Sequence, residues 1–78
     1  MTIAEANAPL SDGIRIIIAK KGYKNLHVAE KAGFTAQELS DMLNGRRLIK
    51  ACDIPNLAHA LEVNADEIYK AGIQKGGN

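Results

Sequence analysis

Residues 25–44 read NLHVAEKAGFTAQELSDMLN and carry the strongest structural signal in the chain. In the second half of this stretch, Leu39, Met42 and Leu43 recur at the i, i+3, i+4 spacing that lines one face of a helix. The first half has an apolar face as well, formed by leucine, valine and alanine. The pattern predicts two short amphipathic helices in succession, one over residues 25–32 and one from residue 36 to 43 or 44.

The boundary between these two helices is marked by Gly33 and by a capping box. Glycine closes a helix in the left-handed conformation because it has no Cβ to clash. Two residues later, Thr35 can accept from the backbone N–H of Glu38 while the Glu38 side chain accepts from the N–H of Thr35. A helix that ends at about residue 32 and another that starts at residue 35 or 36 form a helix-turn-helix.

These residues resemble the helix-turn-helix of the Cro/phage-repressor (Xre-like) transcriptional regulators. That family has a small residue in its first motif helix, a glycine and then an apolar residue in the turn, and two apolar residues in the second helix. Those places are filled here by Ala29, Gly33, Phe34, Leu39 and Met42. Each of these residue types has a packing or backbone role at its position in the motif, so the match has a physical basis.

The resemblance continues on both sides of the motif and covers about three-quarters of the chain. Residues 39–47 are similar to the family's recognition helix and its following Asn-Gly-Arg loop, and residues 57–68 to its last two helices. Residues 10–22 have the pattern of its first helix, whereas Glu62 stands where the family usually has glycine. The resemblance implies an all-α fold, a compact five-helix lambda-repressor-like DNA-binding domain.

The rest of the chain fits one small domain with two short ends. We expect residues 1–9 to be a loose or partly helical lead-in, residues 10–70 the helix-turn-helix domain and residues 71–78 a flexible tail. A helix is predicted over residues 53–61 with Asp53 as its N-cap, because the proline two residues later is tolerated only in a first turn. Leu48 and Ile49 should pin the preceding loop. The predicted core comprises Ile14, Ile17, Val28, Ala29, Phe34, Leu39, Met42, Leu57, Leu61 and Ile68.

Composition and charge limit the possible functions. The chain has 78 residues and a single cysteine, so it forms no internal disulfide, and it shows neither a signal peptide nor a membrane-spanning run. These features predict a cytoplasmic protein that is not associated with a membrane. The net charge is only +1, but residues 12–50 hold eight basic and four acidic residues, whereas residues 51–78 hold two basic and four acidic. A basic half that contains the motif suits contact with phosphate.

If the second motif helix enters the major groove, its polar face meets the bases. The predicted base-reading residues are Ala36, Gln37, Ser40, Asp41 and Asn44. Gln37 is the best reader, because its amide can donate to N7 and accept from N6 of adenine; the alternative is an ordinary solvated glutamine. Asp41 repels phosphate unless it accepts from cytosine N4 or pairs with a neighbouring cation.

The flanks of that helix should supply the phosphate contacts, because the helix itself has no lysine or arginine. The predicted phosphate-contacting residues are Lys24, Asn25, Thr35, Arg46, Arg47 and Lys50. Free N–H groups at the start of the helix at Asn25 favour an anion. The alternative for Arg46 and Arg47 is a solvated loop or an ion pair with Asp53.

We find no catalytic residues, no metal ligands and no cofactor site in the sequence, because His27, His59 and Cys52 lack partners at suitable spacing. The resemblance therefore implies a sequence-specific DNA-binding regulator, a phage- or prophage-type repressor that binds a double-stranded operator as a homodimer, formed in solution or only on DNA. The last helix, the N-terminal segment or the region of Ile16 and Ile18 would serve as the dimer surface. The alternative is a protein-interaction module, such as an antitoxin that binds a protein partner.

Overall fold

The structure, a computed structural model, describes the backbone of residues 1–76 and the side chains of residues 1–74. All regular secondary structure in that part of the chain is helical, which confirms the predicted all-α fold. There are six helices in these residues rather than the five predicted, because the N-terminal segment adds one. The helices are α1 (Ile3–Asn7), α2 (Leu10–Lys21), α3 (Asn25–Ala32), α4 (Ala36–Leu43), α5 (Asp53–Leu61) and α6 (Ala65–Gly76).

The helix-turn-helix has the boundaries that its sequence predicts. Gly33 ends α3 with a φ of 88°, in the left-handed region, and the N–H of Phe34 donates to the carbonyl of Ala29 over 2.8 Å. Both bonds of the capping box are present, with Thr35 N donating to Glu38 Oε1 over 2.8 Å and Glu38 N donating to Thr35 Oγ1 over 3.0 Å. The turn is thus fixed by backbone conformation and by two reciprocal hydrogen bonds.

The core lies between α2, α3, α4, α5 and α6. Every predicted core residue is buried except Phe34, which is only half-buried at the edge of the cluster. The ring of Phe34 packs under the guanidinium of Arg47, whose Cζ lies 5.8 Å from the ring centroid. In the loop after α4, Ile49 is buried as predicted, but Leu48 is 43% exposed, so of these two residues only Ile49 packs into the core.

The last helix is longer than the sequence indicates. A tail was predicted from residue 71, but α6 continues to Gly76, and the last two residues of the predicted tail lie outside the described residues. Gly72 is buried inside the helix, where an added Cβ would collide with the carbonyl oxygen of Pro9. This glycine therefore permits close packing of α6 on the segment before α2, and it does not mark a helix end.

The N-terminal segment was expected to be loose or partly helical. It is partly helical, and it packs on the domain. Thr2 caps α1 and forms a capping box with Glu5. Asn7, at the end of α1, is 1% exposed. The segment is therefore anchored by a buried side chain.

The start of α5 differs in detail from the prediction. The helix begins at Asp53, as expected, but Cys52 occupies the N-cap position and its side chain does not cap the helix. The Asp53 carboxylate instead accepts from the backbone N–H of Lys50 over 3.0 Å, which closes the turn before the helix. None of the helices in residues 1–76 is long and apolar enough to span a membrane.

Candidate nucleic-acid interface

Helix α4 has one apolar face and one polar face. Leu39, Met42 and Leu43 are buried in the core, which fixes the rotation of the helix about its own axis. The opposite face is exposed or half-buried and carries the whole predicted base-reading set, Ala36, Gln37, Ser40, Asp41 and Asn44. The structure therefore brings these five residues together on one accessible surface.

Asp41 lies at the centre of this surface and joins it to the following loop. Its Oδ1 accepts from Gln37 Nε2 over 2.9 Å and from Arg46 Nε over 3.1 Å. Its main-chain carbonyl accepts from the N–H groups of Arg46 and Arg47, over 2.8 and 3.1 Å. The Gln37 hydrogen bond, together with Arg46, lowers the pKa of the Asp41 carboxyl. Asp41 thus pairs with a neighbouring cation, one of the two conditions under which its charge is compatible with phosphate.

Arg47 is held against the start of α4. Its Nη1 donates to Glu38 Oε2 over 2.7 Å, and its guanidinium lies over the ring of Phe34. The backbone N–H of Thr35, followed by the Arg47 guanidinium, lowers the pKa of the Glu38 carboxyl. Glu38 therefore serves both as a capping residue and as the partner of an arginine.

The alternative pairing of the two arginines with Asp53 is wrong. Arg46 pairs with Asp41 and Arg47 with Glu38, so each arginine is attached to α4 by a carboxylate on that helix. These are exposed or half-exposed ion pairs, which are individually weak. They hold the arginines beside the polar face of α4 and leave both guanidinium groups partly exposed to solvent.

The end of α4 is organised by a residue that the sequence did not single out. Arg15 of α2 donates through Nη2 to the carbonyl of Leu43 over 2.9 Å and to Asn44 Oδ1 over 2.7 Å. The Asn44 amide in turn donates to Ser40 Oγ over 3.2 Å. A cation at a helix C-terminus is favourable, but Arg15 lies 28 positions before Leu43. No local sequence signal could have indicated this contact.

The remaining phosphate candidates lie outside this hydrogen-bond network. Lys24 and Asn25 stand at the start of α3, where Lys24 is the N-cap and no side chain caps the helix. Both are exposed, as is the side chain of Lys50. The start of α3 therefore presents backbone N–H groups and a cation at the surface, an arrangement that suits an anion.

Helices α3 and α4, their left-handed glycine turn and the polar face of α4 define a helix-turn-helix fold. Two solved structures are similar to the chain over most of their length. The clp gene regulator ClgR from C. glutamicum has a TM-score of 0.82 at 20% identity, covering 91% of this chain and 92% of that one. A point mutant of the restriction-modification controller protein C.Esp1396I has a TM-score of 0.82 at 19% identity, covering 96% and 94%.

These two likenesses confirm the predicted fold. The sequence itself matches no protein-family model and no curated protein sequence. At this level of identity the neighbours establish architecture, and the chemistry of the surface must be argued from the side chains of this chain.

Proposed function

We propose that the chain is a sequence-specific double-stranded-DNA-binding transcriptional regulator, a phage- or prophage-type repressor whose α4 enters the major groove. The observation that carries the proposal is the arrangement of α4, whose accessible face holds the hydrogen-bonding side chains of Gln37, Ser40, Asp41 and Asn44 and is flanked by Arg46 and Arg47. The two structural neighbours support it, since one is a gene regulator and the other a controller protein. An α-helix fits the major groove of B-DNA, where each base pair has its own donor and acceptor pattern.

In this proposal the polar face of α4 combines uncharged residues that contact base edges with one carboxylate, that of Asp41. Gln37 projects from the first turn and reads a base edge, with Ala36, Ser40 and Asn44 beside it. Asp41 keeps one oxygen on Gln37 and Arg46, and its other oxygen is available to a cytosine N4 amino group. Reading by Gln37 requires exchange of its bond to Asp41 for a bond to the base, or use of its remaining donor and acceptor sites.

The residues that flank α4 bind the phosphate backbone. Arg46 and Arg47 follow the helix, Thr35 precedes it, and Lys50 lies beyond the arginines. Lys24 and Asn25 bind a second phosphate at the start of α3. Phosphate contacts of this kind set affinity and register and carry no sequence information.

The regulator acts as a homodimer, either preformed or assembled on DNA, because one domain of this size contacts one half-site. Of the three surfaces considered, Ile18 is buried and the N-terminal segment is tied down by Asn7. The last helix α6 exposes Tyr69 and Ile73, each 48% exposed. A groove of about 430 Å³ between α2 and α6 is lined in part by Ile16. Tyr69 and Ile73 lie outside this groove, and the face of α6 that carries them supplies the dimer contact.

The chain acts as a cytoplasmic, non-enzymatic protein and needs no cofactor. A second candidate is a protein-interaction module such as an antitoxin. It is favoured by the exposed carboxylates Asp66 and Glu67 at the start of α6, which suit a basic protein partner. The two candidates differ in whether duplex DNA binds to the isolated protein.

The test is a titration series on DNA at several salt concentrations. A duplex is first selected from random sequences, and binding of the parent, Gln37→Ala and Arg46→Ala is measured on that duplex and on a scrambled one. Arg46→Ala should weaken binding to both and flatten the plot of log K against log salt by about 0.9. Gln37→Ala should cost about 1–3 kcal/mol on the selected duplex only.

Lys20→Ala is the matched control, because it removes an exposed positive charge from α2 on the groove side. Its salt dependence should equal that of the parent. Equal losses on both duplexes for Gln37→Ala would mean that this residue reads no base. No binding of the parent to any duplex at low salt would contradict the proposal and favour the protein partner.

A further inference from the structure

Asn7 forms hydrogen bonds to three backbone groups that lie far away in the sequence. Its Nδ2 donates to the carbonyl of Met42 over 2.9 Å and to the carbonyl of Arg47 over 2.8 Å. Its Oδ1 accepts from the N–H of Ile49 over 2.8 Å. One side chain, only 1% exposed, thus connects the last turn of α4 with the loop that carries the two arginines.

This loop, residues 44–50, is called the arginine loop below and contains no helix or strand in the structure. Its buried backbone groups therefore lack the partners that secondary structure provides, and unpaired buried groups are costly. An asparagine side chain has two donors and an acceptor on one short rigid amide. Asn7 supplies both types, and no buried side-chain N or O atom among the described residues is left without a partner.

Helix α1 also packs directly on the arginine loop. A Cβ on Gly45 would lie 2.7 Å from the Cβ of Ala4, so the two backbones touch with no room for a larger residue. Helix α1 has only five residues, too few to persist alone in water. The helix and the loop therefore stabilise each other, and Asn7 is the polar connection between them.

We propose that Asn7 is a positioning residue for DNA binding, which fixes the arginine loop so that Arg46 and Arg47 meet successive phosphates. This inference rests on the proposed function and adds helix α1 to the elements that contribute to DNA binding. Asn7 is buried and does not contact DNA itself. It acts on the arginines through the carbonyl of Arg47 and the N–H of Ile49.

The position of Asn7 gives this role a distinct signature. The rotation of α4 is fixed by its core face, so base contacts from its first turn do not depend on Asn7. The arginine loop has Ile49 and Asn7 as its buried anchors. Removing the amide should therefore weaken phosphate contacts and leave discrimination between base sequences nearly unchanged.

The test compares Asn7→Ala with the parent on the selected and the scrambled duplex over a range of salt concentrations. Binding to both duplexes should fall by about tenfold or more at low salt, with the slope of log K against log salt flattened by up to about 1.8, equivalent to two phosphate contacts. The ratio of the two affinities should stay close to that of the parent. Without DNA, the Ile49 amide should exchange its hydrogen faster.

A matched control separates positioning from general destabilisation. Ile68→Val and Ile68→Ala reduce packing in α6, and the variant whose thermal midpoint is nearer that of Asn7→Ala is used. Binding is measured where circular dichroism shows both proteins folded, and the control should keep the parent's salt slope. Asn7→Asp, which retains the acceptor for Ile49 but places a carboxylate against two carbonyls, should behave like Asn7→Ala.

Three outcomes would contradict the inference. An unchanged salt slope in Asn7→Ala, or an equally flattened slope in the control, would leave Asn7 without a positioning role. Complete unfolding of both Asn7 variants would assign the residue to the fold as a whole. Failure of the parent to bind any duplex would instead contradict the proposed function, whereas normal binding by the parent confines any of these three results to Asn7.

Discussion

The turn between α3 and α4 and the turn between α5 and α6 are built from the same hydrogen bonds. In the first, Phe34 N donates to Ala29 O over 2.8 Å; in the second, Val63 N donates to Ala58 O over 3.0 Å. A left-handed residue precedes each of these donors, Gly33 with a φ of 88° and Glu62 with a φ of 60°. These are Schellman-type helix ends, and each is followed by a capping box.

The two turns differ first in the residue that takes the left-handed conformation. Glycine does so without strain, whereas glutamate has a Cβ that crowds the backbone. Glu62 is held by three groups around it: Lys31 Nζ at 3.0 Å from Oε2, Tyr23 OH at 3.3 Å from Oε1, and Lys21 Nζ at 3.3 Å from its carbonyl oxygen. The same backbone geometry is thus obtained once by glycine and once by side-chain contacts.

The second difference is the charge that follows each capping residue. After Thr35, helix α4 presents Ala36 and Gln37 and is flanked by two arginines. After Asn64, helix α6 presents Ala65 and Asp66, so a carboxylate stands where α4 has the uncharged Gln37. A repeated turn geometry therefore fixes the path of the chain at both places, and the side chains of the helix that follows limit what each surface can bind.

The largest effect on stability is expected from Phe34, the apolar residue in the first turn, and Val63 is its counterpart in the second. Phe34→Ala should lower the free energy of unfolding by about 2 kcal/mol, less than for a fully buried phenylalanine because the ring is half-exposed. Val63→Ala should cost about 1 kcal/mol for its smaller side chain. Chemical denaturation measures both. Equal losses would mean that the ring of Phe34 contributes little packing at the edge of the core.

A smaller effect is expected from Gly33→Val. The structure leaves open space where the Cβ would lie, so the cost comes from the left-handed backbone and should be about 1–2 kcal/mol. Gly33→Asn is the control and should lose less, since asparagine tolerates this conformation. Denaturation curves of the two variants measure both losses in the free energy of unfolding. A valine variant as stable as the parent would contradict the positive φ at this residue.

At Glu62 the same argument predicts that a glycine substitution is more favourable than one that keeps a Cβ. Glu62→Ala loses the contacts to Lys31 and Tyr23 but keeps the strained conformation, whereas Glu62→Gly loses the contacts and relieves the strain. The glycine variant should therefore be more stable than the alanine variant by about 1 kcal/mol. Thermal denaturation of the pair tests this difference. If alanine proves equal or better, Glu62 does not hold a left-handed conformation in solution.

The smallest effect concerns acid. The capping bond from Thr35, then Arg47, lowers the pKa of Glu38, and the hydrogen bond from Lys31 lowers the pKa of Glu62. The unfolded carboxylates take up protons at a higher pH than the folded ones, so these contributions are complete above about pH 5 and are lost as the pH falls through the folded pKa values. Thermal midpoints across that range should decline, and Glu38→Gln and Glu62→Gln should each reduce the decline. A decline unaltered in both variants would assign it to other groups.

The parts of the fold that sequence predicted are those set by neighbours along the chain. The helix-turn-helix, its left-handed glycine and its capping box depend on residues within a few positions of each other. The Thr2–Glu5 capping box is a local signal of the same kind, and it would have indicated α1. The length of α6 was mistaken because the last residues of a domain are often poorly ordered, whereas here Gly72 packs against the carbonyl of Pro9 and holds the helix on the domain.

The parts that could not be predicted depend on contacts between distant residues. Asn7 and Arg15 bond to groups 28 to 42 positions away. Nothing in their own segments marks them as part of the site. Phe34 was placed in the core on its hydrophobicity, but Arg47 covers one side of its ring. The predicted base-reading face follows from helical periodicity. The hydrogen bonds that join Gln37, Asp41 and Arg46 form only because the loop folds back on α4, which periodicity does not show.

We propose that, of these two turns with similar geometry, only the one before α4 meets DNA. The direct measurement is an NMR titration of the protein with the selected duplex, following the backbone amides of residues 35–38 and of residues 64–67. We expect large shift changes at Thr35, Gln37 and Glu38 and small ones at the matched positions Asn64, Asp66 and Glu67. Changes of equal size in both sets, or larger changes in the second set, would contradict it.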